Sequence, residues 1–173
     1  MIISLLSLTG RRIIEILKTA DFKYVDTKHV LFSGQTKIRG EKNKRDKYII
    51  PVLADAGEIV HALKYVRKNL DLQDVSNVKI NATHERRILD YTKTFFKNIN
   101  SNKHIKLNNK ALRCMYARAC YVLFDIEGKQ TFAAYASSIL GHQETDLNTV
   151  NSYSVFHIKK KVKECHEFSD LID

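Results

Sequence analysis

The sequence predicts an α+β fold that is mainly helical, with one small antiparallel sheet of about three strands. Three observations point there. The 173 residues include one proline and six glycines, few helix breakers for a chain of this length. Four segments beyond residue 54 carry apolar residues at helical spacing. Between Phe22 and Leu53 the apolar residues fall instead in short β-branched and aromatic runs separated by turn residues. At 44% apolar residues the chain can bury a core and is too hydrophobic for a disordered one.

The elements follow in order. Ile13, Ile14, Ile16 and Leu17 suit a helix from about Thr9 to Thr19, with Thr9 as its N-cap. Phe22–Asp26, His29–Phe32, Thr36–Arg39 and Tyr48–Leu53 are strand candidates. Asp26, Ser33-Gly34 and Gly40-Glu41 supply the turns between them. Asp55-x-x-Glu58 reads as a capping box opening a helix to about Lys68, with Ile59, Leu63 and Val66 on one face. A second helix is expected from about Ala82 to Ile99, with Ile88, Leu89, Thr92, Phe95 and Phe96 inward. A third, from Asn108 to Phe124, buries Leu112, Met115, Tyr116, Ala119 and Leu123. A fourth, from Thr131 to Leu140, is stopped by Gly141. A short helical turn is expected near Asn148 to Tyr153, before a last segment that is basic first and acidic at its end.

Charge narrows the function. There are 29 Lys and Arg against 19 Asp and Glu, a net charge of +10. An excess of that size suggests a polyanionic partner, most often nucleic acid. No apolar run approaches the ~18 residues of a membrane span. Met1–Leu6 is too short for a signal-peptide core, so the chain reads as soluble. Cys114, Cys120 and Cys165 form no C-x-x-C pair and read as reduced thiols. No ligand spacing suggests a metal, and no P-loop or G-x-G-x-x-G suggests a nucleotide.

Four groups of residues could carry chemistry. Thr9-Gly10-Arg11-Arg12 puts two cations in the first turn of a helix, where the macrodipole favours anions, so a bound anion would reconcile them. A pairing of Arg11 with Glu15 is the plainer reading. Residues Lys37–Lys47 hold six basic side chains and two acidic ones at a strand turn, suited to phosphates or simply to a protected edge. Lys110 and Arg113, at i and i+3, share a helix face opposite the apolar stripe. His142 emerges after Gly141, and Tyr153 follows eleven residues later.

In chain order these are Arg, Lys, Lys-x-x-Arg, His and Tyr. That order resembles the active site of the tyrosine recombinase and type IB topoisomerase superfamily. The resemblance is carried by Leu8-Thr9-Gly10-Arg11-Arg12-Ile13-Ile14-Glu15-Ile16-Leu17, Phe32-Ser33-Gly34-Gln35-Thr36-Lys37, Lys110-Ala111-Leu112-Arg113-Cys114-Met115-Tyr116-Ala117, Leu140-Gly141-His142 and Ser152-Tyr153. Within the superfamily the chain is most similar to the protelomerases, or telomere resolvases. The double arginine, the Ser-Gly-Gln-Thr-Lys string and Lys110 in place of a histidine point to that branch.

The resemblance implies the recombinase catalytic fold. It makes Arg12, Lys37, Lys110, Arg113, His142 and Tyr153 catalytic, and Tyr153 the nucleophile in preference to Tyr116 or Tyr135. It implies DNA contacts from Arg11, Arg39, Lys42, Lys44, Arg45 and Lys47. It implies double-stranded DNA as partner, a homodimer on a palindromic site, and neither metal, cofactor nor ATP. A cytoplasmic or nucleoid location follows, or the host nucleus or cytoplasm for a virus. Members of the superfamily carry an N-terminal domain that clamps DNA, and this chain starts almost at the first arginine box. One catalytic domain over residues 1–173, without that clamp, is the expectation. A site-specific recombinase or integrase is the near alternative, and an inactive basic DNA-binding module the distant one.

Overall fold

The computed structural model describes residues 1–36, 46–97, 107–125, 128–141 and 156. Helix α1 (Ile2–Thr9) leads into a π-helix (Glu15–Thr19), then strands β1 (Asp21–Asp26), β2 (His29–Ser33) and β3 (Lys47–Pro51). Helices α2 (Ala56–Asn69), α3 (Asn77–Phe95), α4 (Asn109–Phe124) and α5 (Phe132–Leu140) follow.

The strands form one antiparallel sheet in the order β1-β2-β3. Its register pairs Phe22 with Phe32, Phe32 with Tyr48 and Val30 with Ile50. Those five side chains are buried on one face, while Lys23, Lys47 and Ile49 face out. This is the period-2 alternation of a one-sided sheet. The inner face packs with α1, the π-helix, α2, α3 and Leu112 in one core. A second core lies between α4 and α5, and Met115 packs against both.

Local chemistry sets the helix ends. Asp55, Ser76, Asn108 and Thr131 each accept a backbone N–H three residues on, as N-caps do. Gly10 and Gly141 end α1 and α5 in the left-handed conformation, at φ 61° and 67°.

Four expectations differ from the structure. Thr9 is the last residue of α1 rather than a cap, and its hydroxyl donates to the Leu5 carbonyl. The run Ile2–Leu8 offers only Ser4 and Ser7 as a polar face, too narrow a signal to reveal the helix. Helix α3 starts at Asn77, five residues before the expected Ala82, because Ser76 caps it. Phe95 points outward at 71% exposure and stacks on Tyr91. In the third helix Leu123 is also exposed, whereas Leu112 and Tyr116 are core. The expected turn at 148–153, the last segment and part of the Thr36–Arg39 strand lie outside the described residues.

Candidate active site

The site is organised by a buried glutamate. The chain breaks between α1 and the π-helix at Gly10–Arg12 and resumes helical backbone at Ile13. Arg12 occupies the cap position there, because its carbonyl accepts the Ile16 N–H. Glu15, three residues on, reaches back: its Oε2 accepts the Arg12 backbone N–H at 2.8 Å, and its Oε1 accepts Arg12 Nη1 at 2.7 Å. The backbone half of this is the return bond of a capping box. Oε1 also accepts the Thr36 backbone N–H and hydroxyl, each at 3.2 Å. Arg113 Nη1, from α4, lies 3.9 Å from Oε2 and donates to the Gly10 carbonyl.

Glu15 is completely buried. Burial alone would push its carboxyl up, but Arg11, Arg113 and Arg12 outweigh that and hold it at about 2. One carboxylate therefore gathers Arg12, Arg113 and the residue before Lys37. The plainer reading of the arginine box, a pairing of Arg11 with Glu15, is replaced by the Arg12–Glu15 pair.

Glycines let the segments approach. A Cβ on Gly10 would overlap the Tyr116 ring, and a Cβ on Gly34 (φ 88°) would overlap the Thr19 carbonyl. Arg67 of α2 braces the hub from behind, donating to the carbonyls of Glu15 and Ile16.

Two expectations about cations are corrected. Arg11 was expected to contact DNA, yet it is fully buried. Its Nε donates to the Thr9 carbonyl at 3.1 Å, Nη1 to the Tyr48 hydroxyl at 2.9 Å and Nη2 to the Ile139 carbonyl at 2.6 Å. Its guanidinium lies 4.5 Å from the Phe32 ring centroid. Burial alone would lower its pKa, but Tyr48 and Glu15 outweigh that and raise it. The second correction concerns the helix face. Lys110 is exposed but Arg113 is buried, because Glu15 and the Gly10 carbonyl give that guanidinium polar partners inside. Lys47 stands exposed at the start of β3. Lys37, Arg39, Lys42, Lys44, Arg45, His142 and Tyr153 lie outside the described residues.

Other nucleophile candidates are withdrawn from chemistry. The Tyr116 hydroxyl donates to the Pro51 carbonyl, and burial pushes its pKa well up. Burial likewise raises the Tyr135 phenol, and it lifts the Cys114 and Cys120 thiols to about 11 and about 12. Sequence reading missed the hub role of Glu15 and the part played by Thr36. The signal was the i, i+3 spacing of Arg12 and Glu15.

Helices packed around a three-stranded antiparallel sheet are the fold this chain shares with the catalytic domain of solved protelomerases. A mutant of protelomerase TelA covalently complexed with substrate DNA matches at a TM-score of 0.76 and 28% identity, over 90% of this chain and 52% of that one. A second TelA mutant, complexed with DNA hairpin product, matches with the same TM-score, identity and coverage. The chain belongs to the telomere resolvase ResT/TelK catalytic domain family, whose model matches residues 1–156. Telomere resolvase ResT of Borreliella burgdorferi is 23% identical over 148 residues, which is 84% of this chain and 31% of that protein. The chain thus spans about a third of that relative and about half of the solved ones.

Proposed function

We propose that this chain breaks and rejoins double-stranded DNA through a 3′-phosphotyrosyl intermediate and closes hairpin telomeres. The observation that carries the reading is the convergence of Arg12 and Arg113, 101 positions apart, on the two oxygens of Glu15. Two guanidinium groups held by one fixed carboxylate stay aligned. Planar forks of this kind match the oxygens of a phosphodiester.

In this mechanism Tyr153 attacks the phosphorus. The bond to its oxygen forms as the bond to the 5′ oxygen breaks, and the phenol gives its proton to water. Lys37 protonates the departing 5′ oxygen. Arg12, Arg113, Lys110 and His142 hold the extra negative charge on the non-bridging oxygens. Each such donor is worth roughly 10²–10³ in rate. The phosphotyrosyl bond keeps the phosphodiester energy, so rejoining needs no ATP. Tyr116 is removed as a rival nucleophile by its place in the core, where its hydroxyl donates to the Pro51 carbonyl. The TelA relatives support DNA as substrate, since one is covalently complexed with substrate DNA and another is complexed with hairpin product. A homodimer on a palindromic junction is part of the same proposal.

The test is a nicked palindromic duplex that traps the intermediate. The wild-type chain should form a covalent 3′ adduct, and Tyr153→Phe should bind within a few-fold and form none. An adduct with Tyr153→Phe overturns the nucleophile. No adduct with wild type leaves a basic DNA-binding module. Hairpin ends among the products separate telomere resolution from strand exchange.

A further inference from the structure

We infer that Tyr48 and Gln35 form a positioning relay, anchored on Arg11, that sets the last turn of α5 against the turn leading out of β2. The inference rests on the DNA-cleaving reading for its consequence in rate, but its geometry stands apart from that reading.

The relay is a directed chain of hydrogen bonds. Arg11 has only donors to offer. Its Nη1 donates to the Tyr48 hydroxyl, which therefore donates its own proton onward, to Gln35 Oε1 at 2.7 Å. That fixes the orientation of the amide. Gln35 Nε2 then donates to the Gly141 carbonyl at 2.7 Å. A second arm runs directly from Arg11 Nη2 to the Ile139 carbonyl. Two of the carbonyls that a helix C-terminus leaves without helical partners are thus held by side chains from elsewhere in the fold.

The positions joined are informative. Arg11 precedes Arg12, Gln35 lies two residues before Lys37, and Gly141 precedes His142. The relay links backbone segments that lead to those three residues. Gly141 suits the junction because a Cβ there would overlap both Gln35 Oε1 and the Tyr48 hydroxyl. Tyr48 is itself held edge-on against Phe32, with centroids 5.3 Å apart, so its hydroxyl has little room to wander. A misplacement of about 1 Å in such a site costs about 10²-fold in rate.

The test uses the full chain with Gln35→Leu, Tyr48→Phe and the double variant. Arg11 is left alone because its loss threatens the fold. The probe is a nicked palindromic duplex selected from a random pool by the wild-type chain. Gln35→Leu should bind within about 3-fold and melt within a few degrees of wild type, yet cleave about 10²-fold more slowly in a single turnover. The double variant should cleave no more slowly than the worse single one, because both break the same relay. Unchanged cleavage, additive losses, or a loss matched by equally weakened folding and binding would overturn the inference. Amide hydrogen exchange in the free protein needs no turnover. It should speed up over residues 139–141 in Gln35→Leu and stay unchanged in α4; unchanged exchange over 139–141 would overturn the relay. If wild type forms no adduct, the cleaving reading fails and exchange alone decides the relay.

Discussion

Arg11 gives its guanidinium to a phenol and two carbonyls and lays it over Phe32, whereas Arg12 gives its guanidinium to a carboxylate and keeps 19% of its side chain in solvent. The two residues are adjacent and carry the same charge. The left-handed turn at Gly10 sends one into the interior and leaves the other at its edge. The difference teaches that a basic dipeptide is not one functional unit. The inward arginine is used up by fixed acceptors and acts on the fold. The outward one is oriented by Glu15 and still has a side open to a ligand.

The largest expected effect breaks the inner half of this pair. Arg11→Ala should lower stability by roughly 3–5 kcal/mol, since it opens a cavity and removes the donor from three buried acceptors. Arg12→Ala should cost less than half as much. Urea midpoints of the two variants measure this, and equal losses would erase the distinction.

Glu15, which serves the outer half, gives a pH signature of the next size. Its folded pKa of about 2 lies below the 4.5 of an ordinary glutamate. Its contribution is therefore present above about pH 4.5 and is lost as the pH falls toward 2. The shift corresponds to about 3 kcal/mol. Wild type should lose urea resistance steeply between pH 5 and pH 2.5, and Glu15→Gln, weaker at neutral pH, should follow a flatter curve. Parallel curves would mean that the arginines do not hold the carboxylate.

The smallest effect is at the surface. Lys47 stands exposed on β3 and has no part in the buried hub. Lys47→Ala should leave the melting temperature unchanged and lower the slope of log affinity for DNA against log salt by about one. A slope unchanged from wild type would remove this end of β3 from the DNA-binding surface.

How much of this was legible in the sequence depended on the kind of signal. Three capped helices declared themselves, with Asp55, Asn108 and Thr131 marking their starts and Gly141 the end of α5, whereas the Ser76 cap of α3 went unread. The sheet was readable from Val30, Phe32, Tyr48 and Ile50, whose alternation follows burial. Helix α1 was not, because Ser4 and Ser7 alone mark too narrow a polar face. Phe95 misled because an aromatic at helical spacing reads as core whether or not anything covers it. Within the site, chain order pointed to Arg12 and Arg113. It could not supply the burial of Arg11 and Arg113. Burial of a cation depends on acceptors distant in sequence, such as Tyr48 and Ile139, that only the fold brings near.

The central claim is that Arg12, not Arg11, belongs to the phosphate-binding pair, and one measurement bears on it most directly. Wild type and Arg12→Ala are incubated with the nicked palindromic duplex, and covalent adduct is followed on denaturing gels, with circular dichroism and binding recorded alongside. The account predicts an Arg12→Ala chain that is folded, binds DNA within about tenfold of wild type, and forms adduct roughly 10²–10³ more slowly. Adduct formation at the wild-type rate in that folded variant would contradict it.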